Sequence, residues 1–337
     1  TMSFLTKTIN TIYIVLTTLC LGLLSAFAFQ IKISAAVQYL PWQWTETNYN
    51  YYDTYQFSDT DSSNNIYVTN LAEKRVEKYD SNGVFVRNYY ADWNSPDSQF
   101  HSIKGIAIDS SNNLIVIDNN INKVHIISNA GNLISEFATQ GTADNQLSSP
   151  NDVAVDAAGN IYIADYGNNF VKKFDSSGNY ISKFSVARPI GVAVDSSGNI
   201  YVSRELHYVH KYDSAYVLQW SHGGYGSGDT QLAYPQGIDV DSVGNVWIAD
   251  LGVSRYKKLD TNGNYIYKFG TYGTSNYQFK SPACISVDSA GNIITIDDNE
   301  IKKFSVQSTG YQIGNLNAGL DIIDRTSKIN IESGAPY

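Results

Sequence analysis

The chain has 337 residues, a formal net charge of −9 and only 16% charged residues. No Lys/Arg run interrupts that acidic balance, which argues against a phosphate-binding surface and so against nucleic acid as a partner. With 26 tyrosines and so few charges, the surface is expected to be rich in Ser, Thr, Asn and Tyr.

From the N-terminus, residues 11–29 (TIYIVLTTLCLGLLSAFAF) form a long uncharged apolar stretch, preceded by Lys7. Ala26-Phe27-Ala28 supplies a small-x-small cleavage site. This layout predicts a signal peptide over residues 1–28 or, if it is not cleaved, a membrane anchor through residues 11–29. Either route predicts export, to an extracellular, cell-surface or periplasmic location. Of the two cysteines, Cys20 lies in this segment. Cys284 falls in the apolar run P-A-C-I-S-V and reads as a buried small hydrophobe, so the body is expected to hold together without a disulfide.

A four-stranded unit then recurs. Its clearest copy spans residues 150–184, with strands expected at Val153 to Val155, Ile161 to Ala164, Phe170 to Phe174 and Tyr180 to Phe184. Gly-Asn turns separate the first strand from the second and the third from the fourth. The turn before the second strand ends at Asn65, Asn113, Asn160, Asn199, Asn245 and Asn292, at spacings of 48, 47, 39, 46 and 47 residues. Six such units predict an all-β fold, a six-bladed β-propeller in which each blade buries both faces against its neighbours.

The links repeat as well: Gln99-Phe100, Gln146-Leu147, Gln231-Leu232 and Gln278-Phe279 each place Gln ten residues before the Asp that ends the next first strand. The pattern Q-F/L-x-x-P-x-x-V-A-V-D-x-x-G-N-I-Y-I-A-D followed by V-x-K-F-D resembles the NHL repeat, over about residues 55–311. The resemblance implies the fold, whereas the family includes binding modules, sensor domains and enzymes. The propeller is expected over 29–314 and a tail over 315–337, with a short strand at Lys328 to Ile331. The first copy lacks an apolar first strand near Tyr55 to Thr60, and the link from Ser185 to Pro189 lacks the usual insert. Two segments compete to close the ring: residues 39–44 (YLPWQW), as a fourth strand for the last blade, and Gly310 to Ile313. The N-terminal clasp is preferred because it leaves no orphan edge.

An Asp ends the first strand of every copy: Asp61, Asp109, Asp156, Asp195, Asp241 and Asp288. A residue present in all six copies reads as turn capping rather than as one metal site. Asp118, Asp165, Asp250 and Asp297 end second strands and read as structural. The family resemblance implies a basic residue about five positions on, present as Arg75, Lys123 and Arg255 but absent from the other blades. Blade four departs most, with Arg204 in place of the Asp and with Glu205, His207, His210 and His222 close behind. Departures from a repeat's own consensus are where function is expected. A metal site needs three or four convergent ligands, so no catalytic residue, metal or cofactor is assigned. Link aromatics, among them Tyr89, Tyr90, Trp93, Tyr225, Tyr234, Tyr272 and Tyr277, suit a binding surface.

The predicted function is that of an exported, non-catalytic binding propeller. Its link-loop face, through Trp93, Arg204, Glu205, His207, His222, Tyr225 and Tyr272, would take a protein, peptide or glycan. The alternative is a metal-dependent propeller enzyme of lyase or lactonase type with a site near blade four. Contact with a membrane is expected only through residues 11–29.

Overall fold

The computed structural model describes residues 42–47, 55–91, 100–297, 300–305, 320–325 and 328–333. The expected leader and Trp93 lie outside them. Among the described residues, no helix is long and apolar enough to cross a membrane.

Local structure starts from the turn acids. Asp156 Oδ1 accepts the Ala158 and Asn160 amides (3.0 and 2.9 Å), and Oδ2 accepts Asn160 Nδ2 (2.8 Å). The same carboxylate-centred turn forms at Asp61, Asp109, Asp195, Asp241 and Asp288. One residue of this turn needs a positive φ. Gly159 supplies it at +82°, and Asn64 and Asn112 supply it at +61° where Gly is missing. Burial pushes the Asp156 carboxyl up, but the Asn160 amides and the Lys173 ammonium together hold it below the usual carboxylate range.

These turns join four antiparallel strands into each blade. In blade three they are Pro150–Val155, Ile161–Asp165, Phe170–Phe174 and Tyr180–Ser185. Blades one, two, four and five repeat the order, beginning at Tyr55–Thr60, Ile103–Ile108, Pro189–Val194 and Pro235–Val240. Second strands such as Leu114–Asp118 and Val246–Asp250 are buried at every position, because both faces of a blade are covered. Fourth strands are partly exposed and alternate, as in Leu133–Phe137. The core lies between blades, where Ile115 and Ile117 of blade two pack with Val153 and Ile163 of blade three. First strands contact one another in sequence around the axis, from the first blade to the sixth and back to the first.

Blade six draws its strands from both ends of the sequence. Pro282–Val287, Ile293–Asp297 and Glu300–Phe304 are followed in the sheet by Trp42–Thr47, which runs antiparallel to Glu300–Phe304 with Thr45 opposite Lys302. The N-terminal clasp therefore closes the ring through Trp42–Thr47, and residues 39–41 of the expected segment 39–44 lie outside the described residues. Gly310 to Ile313 lie outside the described residues. In the tail, Lys328–Ser333 pairs with Leu320–Arg325 as a hairpin, longer than the single short strand expected.

Side chains reinforce the seam between blades six and one. Ser58 and Ser286 share a hydroxyl hydrogen bond (2.8 Å), and the Ser58 amide donates to Cys284 Sγ (3.4 Å). Ser289 Oγ donates to Asn64 Oδ1 (2.7 Å). Tyr55–Thr60 thus forms a strand despite its polar sequence, because Ser58 has polar partners across the seam. Cys284 is buried, and burial pushes its thiol up to about 12, which leaves it unreactive.

Removing residues 37–47 should expose the third strand of blade six and lower the thermal unfolding midpoint by roughly 5–10 °C for a domain of this size. A midpoint that does not move would show that Trp42–Thr47 contributes nothing to closure.

Candidate functional site

The link loops share one construction. Gln146, Gln231 and Gln278 each fold back so that Oε1 accepts a loop amide, from Ala143 (3.1 Å), Gly228 (3.0 Å) and Ser275 (3.2 Å). Gly141, Gly226 and Gly273 let the glutamine approach, since a Cβ there would collide with its carboxamide. Below each loop a buried lysine donates to its carbonyls: Lys172 to Ala143 (3.0 Å), Lys257 to Asp229 (3.0 Å) and Lys302 to Gln278 (2.8 Å). The acids ending the second strands accept amides from the incoming link, as Asp165 does from Ser148 (2.7 Å) and Asp250 from Ala233 (2.6 Å). Their role is to anchor links. In blade three the cation beside the acid is Lys172, on the third strand and 3.0 Å from Asp165, so the family spacing misses it.

Blade four reverses this polarity. Arg204 replaces the acid, and its Nε donates to the Ala187 carbonyl (3.0 Å). Glu205 ties blade three to blade four, accepting Tyr166 Oη (2.8 Å) and Arg188 Nη1 (2.7 Å), and these two donors hold its carboxyl below the usual range. His210 lies between Arg204 Nη1 (3.1 Å) and Tyr212 Oη (3.0 Å). His222 is buried, with Nδ1 3.0 Å from the Gly263 carbonyl of blade five. Burial pushes both His210 and His222 down to about 4, the former with help from Arg204 and the latter from Lys257, so both rings are neutral near pH 7. The expected cluster is thus distributed among separate structural partners. Among the described residues, no group of three or more His, Cys, Asp or Glu is placed to hold a metal ion.

His207 is different. Its Nδ1 accepts the Tyr234 amide (3.1 Å), which places the ring proton of the neutral form on Nε2. The ring packs against Tyr225 (centroids 5.0 Å apart) and edge-on to Tyr234 (4.5 Å), and the two tyrosines meet edge-on at 6.5 Å. Tyr225 is 69% exposed and Tyr234 48% exposed, so this aromatic group lies open on the link-loop face. Tyr272 holds the position in the next link that Tyr225 holds in its own: each is bridged in parallel to the residue after the loop glutamine, and Tyr272 is 74% exposed.

Sequence reading missed three acids along the axis. Asp59, Asp152 and Asp239 belong to blades one, three and five. Each accepts the amide of the next blade's first strand: Ile108 (2.7 Å), Val192 (2.9 Å) and Val287 (2.7 Å) respectively. They line an axial cavity of about 350 Å³ together with Ser58, Cys284 and Ser286. Burial pushes Asp59 up to about 6, Asp239 to about 7 and Asp152 to about 8, and the acids repel one another along the shared channel. The available signal was a carboxylate inside an otherwise apolar first strand, as in N-D-V-A-V and G-I-D-V.

These shifts carry a sign. An acid whose folded pKa is raised gives stability that is complete below its unfolded value near 3.8 and is lost as pH rises through the folded value. Asp152→Asn, whose Oδ1 still accepts the Val192 amide, should match the wild type at pH 4. By pH 8 it should be more stable, by up to a few kcal/mol. Parallel unfolding profiles from pH 4 to 8 would show that Asp152 is not protonated in the folded state.

The NHL repeat profile matches residues 147–174, which comprise the end of the link and the first, second and third strands of blade three. No curated protein sequence matches the chain. Among solved structures, virginiamycin B lyase from Staphylococcus aureus is similar at 13% identity and a TM-score of 0.55, covering 78% of this chain and 99% of that one. A gluconolactonase from Xanthomonas campestris is similar at 15% identity and a TM-score of 0.58, covering 80% of this chain and 95% of that one. A Bacteroides caccae protein of unknown function is similar at 12% identity and a TM-score of 0.53, covering 69% of this chain and 86% of that one. At these identities the likeness concerns the fold. The chain is a six-bladed β-propeller of four-stranded blades that carries an NHL repeat.

Proposed function

We propose that this propeller is an exported, non-catalytic binding module whose link-loop face takes a protein, peptide or glycan. The observation that carries this reading is the open group of His207, Tyr225 and Tyr234 on clamped loops. Rigid aromatics lose little conformational entropy on binding and bring a large apolar face with a polar tip. Tyr272 extends the same presentation to the neighbouring link. Export rests on the apolar stretch at 11–29. Screening the purified chain against peptide and glycan arrays should give a ligand whose affinity falls roughly tenfold or more in Tyr225→Ala/Tyr234→Ala, with circular dichroism unchanged. Undiminished affinity in that variant would remove the patch from the binding site.

A catalytic reading has one specific observation in its favour, away from blade four. His101, with its side chain 55% exposed, sits with Nδ1 3.2 Å from the buried Asp118 carboxylate, an arrangement that orients an imidazole as a general base. Two of the structural neighbours are a lyase and a gluconolactonase. Lactone opening that falls to background in His101→Ala would favour this second reading over the first.

A further inference from the structure

Each first strand is irregular where it starts at the link-loop end. Pairing with the second strand slips between Tyr55 and Ser58, Ile103 and Ile106, Pro150 and Asp152, Pro189 and Val192, Pro235 and Ile238, and Pro282 and Cys284. Such bulges re-aim a side chain. The residue inside the slip lies five positions before the turn Asp: Gln56, Lys104, Asn151, Ile190, Gln236 and Ala283. All six are half-buried. Because the first strands follow one another around the axis, these residues form a ring at its link-loop end. Contacts join neighbours in this ring: Lys104 Nζ donates to Gln56 Oε1 (3.2 Å), and Asn151 Nδ2 donates to the Ile190 carbonyl (2.8 Å).

Lys104 differs from the other enclosed lysines, which pair with acids or, as Lys257 does, donate to several link carbonyls. Lys78, Lys172, Lys258 and Lys303 lie 3.0–3.2 Å from Asp61, Asp165, Asp241 and Asp288. The hydrogen bond of Lys104 goes to a neutral carboxamide, and among the described residues no carboxylate lies within ion-pair reach. Burial pushes its ammonium below the usual lysine range with no acid to oppose the shift. The axial acids do not pair with it: Asp59 and Asp239 lie three positions further along their strands, toward the opposite end of the axis, and Asp152, which packs against Gly105, accepts the Val192 amide instead.

We propose that this ring is a binding site for a carboxylate group, with Lys104 as the charge partner, the Gln56 carboxamide beside it and Gln236 on the facing side of the ring. One ammonium among neutral amides matches one negative charge. A doubly charged phosphate would be left half compensated in an enclosed mouth of an acidic chain. The site extends the binding reading of the link-loop face but uses none of the residues of the aromatic group, so either can fail without the other.

The test is calorimetric titration of the whole chain with sodium glucuronate, sodium acetate and sodium phosphate. Sodium chloride at equal ionic strength and glucose serve as controls. Glucuronate and acetate should bind above the chloride background and phosphate more weakly. The glucuronate affinity should drop roughly tenfold or more in Lys104→Met. It should stay within about threefold of the wild type in Lys104→Arg, which keeps the charge, and in Tyr225→Ala/Tyr234→Ala. Lys104→Gln provides the same neutralisation should the Met variant lose its circular dichroism spectrum. Binding no stronger than chloride, or unchanged affinity in the neutral variants, would overturn the site. Phosphate binding more tightly than the carboxylates through Lys104 would overturn the charge assignment.

Discussion

Everything on this molecule's surface depends on six separate sheets holding a closed circle without sharing a backbone ladder. Each sheet ends at the axis in a first strand that does not pair with the first strand of the next blade. Burial of apolar side chains between blades supplies the adhesion. It is non-directional, so it does not by itself fix how one blade sits against the next. Directionality comes from polar contacts across the joints. Asp59, Asp152 and Asp239 reach across three of the six, and Ser58 with Ser286 across the seam. The backbone pairing of Trp42–Thr47 then joins the two ends of the chain in one sheet.

The repeat was legible because its turns have few chemical solutions. A carboxylate that accepts two amides and a carboxamide, followed by a residue at positive φ, leaves the signature D-x-x-G-N, and every blade shows it or a close variant. The clasp was legible for a related reason, since an edge strand in the last blade would otherwise have been left open. Its register was not, because pairing is set by the partner strand and not by the segment's own sequence. The axial acids escaped notice for a different reason. They occur in alternate blades and at two different strand positions, so a search for equivalence averages them away.

Blade four shows what a departure from the repeat's own consensus looks like in three dimensions. Where other blades have an acid accepting link amides, an arginine addresses a link carbonyl, and a glutamate ties the two blades with help from Tyr166 and Arg188. What remains open to solvent is set by the neighbouring link, where His207 takes its position from a backbone amide and two tyrosines.

The clamped links have a consequence for how such a protein can change. In the links before blades three, five and six, glutamine closes the loop and a buried lysine holds it from below. The residues at the tip, such as Ala143 and Asp229, enter that clamp through backbone amides and carbonyls, and the clamp takes none of their side chains. Tip sequence and scaffold are thereby uncoupled. A lineage can rewrite one loop at a time, testing new surface chemistry while the blade beneath keeps its fold. The same modularity makes these tips natural positions for grafting foreign recognition segments.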